Sequence, residues 1–527
     1  GYDSLSTNTT ASNNTAVGRA ALKVNTTGAD NVALGKDAGA SVTTGIRNTL
    51  VGSLAGDALT DADYNVALGQ QAITSDTLGS YTTAIGYGTL NEQNFTSATD
   101  TYNTAVGALA GAAVSTGVFN TLIGGLAGDA LTVGQENVSL GYLALSTDTK
   151  GSHSVAIGPY ALQTQNFTSA TDTFNTALGY AAGNAVTTGT VNTLIGGLAG
   201  DAITTGEANT ALGKSALSAN TQASNNVAIG ADSLKVNTTG TPNTAVGTFA
   251  LKANTTGGSN VAMGKGALDA NTTGGSNTAL GTDALSGNTT AGNNTAVGKA
   301  ALEANTTGTR NTAVGSEAAD AINTGQDNTA IGSLALSADT KGNFSTAIGR
   351  GALKTQNFTS STSAHNTAVG YSAGELITTG VKNTIIGSLA GDAITTGDNN
   401  TATGQGALSA NTTGNNNTAI GLNALVSNTT AENNTAVGYT ALNANTTGAR
   451  NTSIGMNTLF DNTTGAENTA LGVSALANNT TADYNTAIGR AALELNTTGT
   501  RNVAVGALAL DANTTASNNN AVGYSAL

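Results

Sequence analysis

A short pattern of polar and apolar residues repeats along the whole chain. The pentad Asn14-Thr15-Ala16-Val17-Gly18 returns at Asn31, Asn48 and Asn65, each time after 17 residues. Pentads begin at 30 places, the last at Asn519, and every interval is 17 residues except three of 21. A fixed short period of this kind indicates a solenoid, in which each repeat packs only on its neighbours.

Within one repeat, numbered 1 to 17 from the asparagine of the pentad, the residue order predicts short strands and turns. Positions 2 to 4 form a short β-branched run, and position 5 is Gly, which permits a turn. Positions 12 to 15, usually Asn-Thr-Thr-Gly, are typical of a second turn. Glycine at positions 5 and 15 leaves no uninterrupted stretch of the ~12 residues that a marginal helix needs. We therefore predict an all-β parallel β-solenoid, or β-roll, of 30 stacked 17-residue coils, running as one continuous repeat array over residues 1–527.

The three long repeats contain a four-residue insertion. They begin at Thr82, Ser154 and Ser345. Each carries the same motif, Gln-Asn-Phe-Thr, at residues 93–96, 165–168 and 356–359. Because the phase is kept on both sides of each insertion, we expect the extra residues to form loops outside the stack.

The residue types at positions 9 and 12 are exchanged between repeats. Where position 9 is Leu, as at Leu22, position 12 is polar, as at Asn25. Where position 9 is Gly, as at Gly39, position 12 is apolar, as at Val42. One bulky apolar group per coil is thus kept, which indicates a shared and closely packed interior.

The strand residues predict more than one chain. Positions 2 and 4 point to one side of a strand and position 3 to the other. We expect Val32 and Leu34 to fill the interior of the coil, and position 3, which is never charged and is sometimes as large as Leu50, to form a second buried face. A parallel homo-oligomer would cover that face; the alternative is a lone solenoid with a mildly apolar face. We also expect the Asn column at position 1 to form an amide ladder and the Thr column at position 13 a hydroxyl ladder.

Composition and charge exclude several classes of partner. Only 9% of residues are charged, and the net charge of −14 is not gathered into a block, which argues against nucleic acid as a partner. There is no Cys, and no apolar run approaches the ~18 residues of a membrane helix, so we expect no membrane insertion in this segment. The chain starts and stops in the middle of a coil, which indicates a piece of a longer fibre.

The pentads resemble a known family. Ser154-Val155-Ala156-Ile157-Gly158 and Asn226-Val227-Ala228-Ile229-Gly230 are similar to the head repeats of YadA-like trimeric autotransporter adhesins, and the longer NTAVGxxALxxNTTG pattern resembles the repetitive shafts of phage tail-fibre proteins. The resemblance implies a left-handed parallel β-roll, association of three chains, an extracellular, cell-surface or virion location, and attachment instead of catalysis.

The residues themselves give little support for an enzyme, and no cofactor or metal site is predicted. His153 and His365 lack metal-ligand spacing and are expected at the surface. Acidic residues recur at position 10, but in separate coils, which favours solvated carboxylates over paired acids or a calcium site. These acids are Asp57, Asp129, Asp201 and Asp392.

The insertions hold the candidate site residues. Phe95, Phe167 and Phe358 are scarce aromatic residues on expected loops, so they could contact a receptor or a neighbouring fibre; the alternative is that each ring covers its own coil. The adjoining motifs also match the N-glycosylation sequon, as do the many Asn-Thr-Thr triplets, for which turn formation is the alternative explanation. The candidate glycosylation sites are Asn94, Asn166 and Asn357.

Together these features predict a structural fibre shaft, extracellular or on a virion, that extends and displays an attachment tip. The expected partner is the chain itself in a homotrimer, with a host-cell receptor or glycan as a further partner. One alternative is an adhesin whose repeats bind a cell surface or glycan directly. Another is an ice-binding solenoid, which is disfavoured because the Thr column at position 14 is interrupted by residues such as Asp61 and Leu78.

Overall fold

The computed structural model describes residues 1–527, which divide into two compact units, Gly1–Asn260 and Val261–Leu527. Both units are all-β, without a helix, and each is a stack of coils about 17 residues apart. The predicted all-β parallel β-solenoid of 30 coils is therefore confirmed.

One short strand per coil forms the ladder of each unit. In the first unit the strands are Thr15–Val17, Val32–Leu34, Thr49–Val51, Val66–Leu68, Thr83–Ile85, Thr104–Val106, Thr121–Ile123, Val138–Leu140, Val155–Ile157, Thr176–Leu178, Thr193–Ile195, Thr210–Leu212, Val227–Ile229 and Asn243–Val246. Those of the second unit are Asn260–Met263, which starts one residue before it, Thr278–Leu280, Thr295–Val297, Thr312–Val314, Thr329–Ile331, Thr346–Ile348, Thr367–Val369, Thr384–Ile386, Thr401–Thr403, Thr418–Ile420, Thr435–Val437, Thr452–Ile454, Thr469–Leu471, Thr486–Ile488, Val503–Val505 and Asn520–Val522.

Six further two-residue strands mark the insertions. They pair in parallel as Gly79–Ser80 with Thr99–Asp100, Gly151–Ser152 with Thr171–Asp172, and Gly342–Asn343 with Thr362–Ser363. Each insertion thus runs beside the last turn of the preceding coil and rejoins the stack in phase.

The ladder strands pair in parallel and in register, so that the same repeat position forms a column along each unit. Thr15, Ala16 and Val17 pair with the corresponding residues of the next coil, beginning at Val32. A strand of three residues is too short to be stable alone, and its backbone groups are satisfied only by the strands on either side. Stacking of identical coils therefore determines the fold.

Glycine at position 5 is required by the turn that ends each strand. Gly35 has a φ of +145°, and a Cβ added there would lie 2.3 Å from the carbonyl oxygen of Gly52 in the next coil. Neither the conformation nor the contact is compatible with a side chain.

The interior is filled by positions 3, 8 and either 9 or 12. Leu22 and Val42 are fully buried, which confirms that positions 9 and 12 exchange the bulky group. A third position takes part, because a Cβ on Gly39 would lie 2.6 Å from Cδ1 of Leu50, and one on Gly56 would lie 2.8 Å from Cδ2 of the same residue. Leu50 therefore fills the space left by two successive glycines, which explains its size at position 3.

A buried column of asparagines at position 1 joins successive coils. Oδ1 of Asn31 accepts the backbone N–H of Asn48 at 2.9 Å, and Nδ2 of Asn31 donates to the carbonyl of Gly45 at 2.8 Å. This column bonds mainly to the backbone, since side-chain to side-chain bonds occur in only some coils. The amide ladder expected at position 1 is instead best developed at position 12, where Nδ2 of Asn428 donates to Oδ1 of Asn411 at 2.9 Å.

The Thr column at position 13 does not form the expected hydroxyl ladder. Oγ1 of Thr26 donates to the backbone carbonyl of Thr43 at 3.1 Å, and the same bond recurs along both units. Each hydroxyl thus adds a bond to a turn carbonyl of the next coil, which already accepts the backbone N–H of the same threonine, as Thr43 does from Thr26 at 2.9 Å.

Candidate functional surface

The strand faces are reversed relative to the sequence prediction. Position 3, represented by Ala33 and Leu50, is fully buried inside the coil, whereas positions 2 and 4 point outward. Leu34 at position 4 is 47% exposed. The prediction that position 3 forms a second buried face is therefore wrong. The small interior of the coil takes the small residue, and the large β-branched and aliphatic groups remain outside.

The outward face of each ladder carries a column of exposed aliphatic side chains, which we call the position-4 column. It holds Val, Ile, Leu or Met in every coil except at Thr403. In the first unit its most exposed members are Val17, Leu34, Leu68, Leu140, Leu178 and Leu212. In the second unit they are Met263, Ile331, Ile386, Ile420, Ile454, Leu471, Ile488 and Val522. A contiguous apolar surface of this extent is typical of an interaction site.

The phenylalanine rings of the insertions are buried. Phe95, Phe167 and Phe358 are only 6%, 6% and 5% exposed. The ring of Phe95 lies against the coil before its own, since a Cβ added at Gly79 would lie 3.0 Å from Cδ2 of Phe95, and little of the ring is left for contact with a receptor. Their burial corrects the expectation that these aromatics lie on exposed loops.

Beneath each ring lies a buried polar network that the sequence did not reveal. Gln93 Nε2 donates to Oδ2 of Asp76 at 2.6 Å and to Oγ1 of Thr82 at 3.0 Å, and Gln93 Oε1 accepts from Nδ2 of Asn103 at 2.9 Å. Oδ1 of Asp76 accepts the backbone N–H of Phe95 at 3.1 Å. The copies centred on Gln165 and Gln356 repeat these bonds. The signal was Asp instead of Asn at position 12 in the coil before each insertion.

The sequons fall into two groups by burial. Asn94, Asn166 and Asn357, the candidate glycosylation sites, are exposed. The asparagines of the Asn-Thr-Thr triplets, such as Asn25 and Asn445, are fully buried and donate to the Gly carbonyl three residues later. The folded chain therefore presents the insertion sequons, while most triplets serve as turns.

Position 17 adds a column of stacked or paired side chains beside the outward face. Tyr81 stacks on Tyr64 and on Tyr102, with ring centroids 4.9 and 5.2 Å apart. In the second unit Arg310 forms two hydrogen bonds to Asp327, of 2.6 and 2.8 Å, which lower the pKa of that carboxyl group. Stacked aromatic pairs and oppositely charged pairs at this position both favour the observed register between successive coils.

The acidic residues at position 10 do not come together as an acid pair. Asp57, Asp129, Asp201 and Asp392 are half-buried in separate coils, and each has one carboxyl oxygen without a hydrogen-bond partner. Burial raises the pKa of each, and the same holds for Asp320. Each of these carboxyl groups destabilises the folded state when it is ionised, and no two of them form a catalytic pair.

The two histidines lie in the position-17 column. His153 lies 3.3 Å from a carboxyl oxygen of Glu136 and 3.1 Å from one of Asp172, and its ring stacks on Phe174. His365 stacks on Phe344. Neither histidine belongs to a group of three or more His, Cys, Asp or Glu side chains that could hold a metal ion.

Open grooves lie beyond the turn at position 5, between the columns at positions 7 and 10. They recur in both units, and the one from Tyr439 to Glu494 has a volume of about 500 Å³. Sequence reasoning missed these grooves; the available signal was the set of tyrosines at position 6, whose aromatic rings recur on a face rich in charge. They are Tyr2, Tyr87, Tyr142, Tyr180, Tyr371, Tyr439 and Tyr524.

Comparison with known proteins adds no assignment. No family model matches the chain, and no curated protein matches it. No helix of the structure is long and apolar enough to cross a membrane.

Proposed function

We propose that this chain is the shaft segment of an extracellular or virion fibre, in which three parallel copies pack together through their position-4 columns. The observation that carries the proposal is the run of exposed aliphatic side chains on the outward face of each ladder, exemplified by Leu34 and Leu471. Its function would be mechanical: it would give a fibre reach and rigidity and hold an attachment tip away from the surface that bears it.

Packing energetics favour a partner for this face. Burying the exposed half of a Leu or Val side chain contributes on the order of 1 kcal/mol, and the contribution recurs in nearly every coil. Because strands of one chain are in register, a parallel second copy presents the same column at the same spacing. No residue at positions 2 to 4 is charged, so no ion has to be buried without a partner.

The trimeric state in particular follows from the resemblance to YadA-like head repeats. Three identical columns arranged around one axis would cover one another completely, leaving the charged residues of positions 6, 7 and 10 in solvent. The proposal thus keeps the predicted homotrimer and replaces the predicted interface at position 3 with positions 2 and 4.

The mass of the purified segment in solution tests this proposal. Analytical ultracentrifugation over a wide range of concentrations should give three times the 51.3 kDa chain mass, with an elongated frictional ratio. A stable monomer at the highest concentrations would contradict the assembly and with it the proposed shaft.

A further inference from the structure

One groove differs from the others in its chemistry. It crosses four successive coils of the second unit, from Tyr439 to Glu494, and its volume of about 500 Å³ is within the ~300 to 1,000 Å³ range of small-ligand sites. Its lining residues are Tyr439, Thr440, Asn443, Asn457, Phe460, Ser474, Ala477 and Glu494.

Two aromatic rings give the groove apolar surface. Tyr439 is 52% exposed and Phe460 is 37% exposed, and neither stacks on another ring. By contrast, the guanidinium of Arg350 lies over the ring of Tyr371. The faces of Tyr439 and Phe460 are thus free to pack against the C–H groups of a ligand.

Hydrogen-bond donors and hydrogen-bond acceptors both lie between the rings. Oγ1 of Thr440 donates to Oδ1 of Asn457 at 2.5 Å, which fixes that amide and directs its Nδ2 donor away from Thr440. Asn443 uses its Nδ2 on the carbonyl of Asn423 at 3.4 Å, which leaves Oδ1 as an acceptor. A ligand that donates and accepts at closely spaced hydroxyls would satisfy both amides.

The charge of the groove selects against anions. Glu494 is the only carboxylate that lines it, and no Lys or Arg lines it. The corresponding groove at Leu334 to Glu375 is lined instead by Arg350 and Lys354, and an ion pair of 3.5 Å joins Lys354 to Glu375. A neutral ligand that can donate a hydroxyl to a carboxylate therefore fits the groove at Tyr439 and does not fit the charged one.

We propose that the groove between Tyr439 and Glu494 binds a neutral sugar, with Tyr439 and Phe460 packed against the C–H face of the ring. Asn443, Asn457 and Glu494 then hydrogen-bond its hydroxyl groups. Such binding goes beyond a purely mechanical shaft and gives the side of the fibre a lectin-like contact with neutral glycans.

The tyrosine-lined groove of the first unit is a weaker candidate. Tyr160 and Tyr180 pack edge to face with centroids 5.8 Å apart, and Nδ2 of Asn184 donates to Oε1 of Gln163 at 3.0 Å and to the carbonyl of Tyr160 at 3.2 Å. Its volume is about 300 Å³. Fewer groups are left for a ligand there, so we assign the sugar site to the groove at Tyr439 alone.

Saturation-transfer NMR on the full chain tests the proposal. The probes are methyl β-D-galactoside, N-acetylglucosamine and maltotriose, with sialyllactose as the anionic comparison. At least one neutral probe should receive saturation at its ring C–H protons, and Tyr439→Ala should weaken its binding at least tenfold. The matched control is Tyr371→Ala, which removes a ring of similar exposure, 50%, from the same coil position and should leave binding unchanged.

A second variant separates loss of the site from loss of the fold. Asn457→Ala should also weaken binding, while both variants keep the circular dichroism spectrum and melting temperature of the parent chain. Absence of saturation for all three neutral probes, equal binding by Tyr439→Ala and the parent, or preferential binding of sialyllactose would each overturn the proposal.

Discussion

The side-chain amide of Gln93 lies 2.6 Å from the carboxyl oxygen Oδ2 of Asp76, and both side chains are fully buried. This pair joins the coil before the first insertion to the coil that contains it, and its copies do the same at the other two insertions. The networks hold the stack together where the regular Asn column would otherwise be interrupted, because Gln93 also accepts from Asn103 in the following coil.

Removing the amide of Gln93 should open this part of the stack locally. Gln93→Leu keeps the volume but leaves Oδ2 of Asp76 without its partner, at a cost of about 1 to 3 kcal/mol, more if the group is charged. Hydrogen exchange followed by mass spectrometry should therefore show at least about tenfold faster exchange at the amide of Phe95, which donates to Asp76. The control is Gln70→Leu at an exposed site; equal protection of Phe95 in the two variants would contradict the role of the network.

The packing of Leu50 between two glycines predicts a coupled pair of substitutions. Leu50→Ala should cost about 2 to 5 kcal/mol, because the glycines on either side cannot fill the cavity. Gly56→Ala should destabilise the parent chain, since its Cβ would lie 2.8 Å from Cδ2 of Leu50, but it should cost less when Leu50 is already Ala. Urea denaturation of the four members of this cycle measures the coupling, and purely additive effects would show that Leu50 does not fill the space beside Gly56.

The sequence predicted the repeat period of this protein correctly, but it did not predict which face of each strand points into the coil. The 17-residue period places Thr15–Val17 and its counterparts correctly, and the exchange between Leu22 and Val42 correctly identified a shared interior. Alternation in a three-residue strand, however, gives two faces without saying which is inside. The small volume of the coil interior decides in favour of Ala33, and only the structure shows that volume.

The candidate sites were harder to predict for a related reason. Phe95 occurs in a polar insertion, and nothing in its neighbourhood in the sequence indicates that the ring covers the network around Asp76. The groove at Tyr439 is assembled from single residues contributed by four coils. Each residue on its own is an ordinary surface residue, so the site exists only in the stacked structure.

Lowering the pH should remove the destabilisation that the ionised, half-buried carboxyl groups at position 10 cause in the folded state. Burial raises the pKa of Asp129 and Asp201 above the ordinary value of 3.8 for an aspartate, so the folded state binds protons more tightly than the unfolded state does. Stability from these groups therefore rises as pH falls from neutral through the raised pKa values, and the gain is complete below the unfolded pKa of 3.8. Asp201→Asn should raise the melting temperature at pH 7 and reduce this dependence on pH.

Two comparisons make the pH prediction specific. Asn184 already occupies position 10 in the preceding coil, so the amide is compatible with the fold. Asp461→Asn, at an exposed site, should leave the melting temperature at pH 7 nearly unchanged. If Asp201→Asn and Asp461→Asn had the same effect at pH 7 and at pH 4, partial burial of Asp201 would not be the cause.

The position-4 column makes the sharpest prediction about assembly. Replacing Leu140, Leu178 and Leu212 together by Glu puts a column of like charges on the outward face of the ladder, where each of these side chains is 42 to 43% exposed. In a monomer the new carboxylates would remain in water and cost little. Against a parallel copy they would be desolvated and would face identical charges at the same height, so the complex should dissociate to single chains.

The matched control places the same charges on another face. Val236, Leu376 and Leu495 all occupy position 11 and are 38%, 47% and 46% exposed, so their replacement by Glu changes net charge and apolar surface in a similar way. We expect sedimentation to show single chains for the position-4 variant and an unchanged assembly for the position-11 variant. Dissociation of both variants would indicate a general effect of charge. Dissociation of the position-11 variant alone would indicate that the chains associate through position 11 and not through the position-4 column.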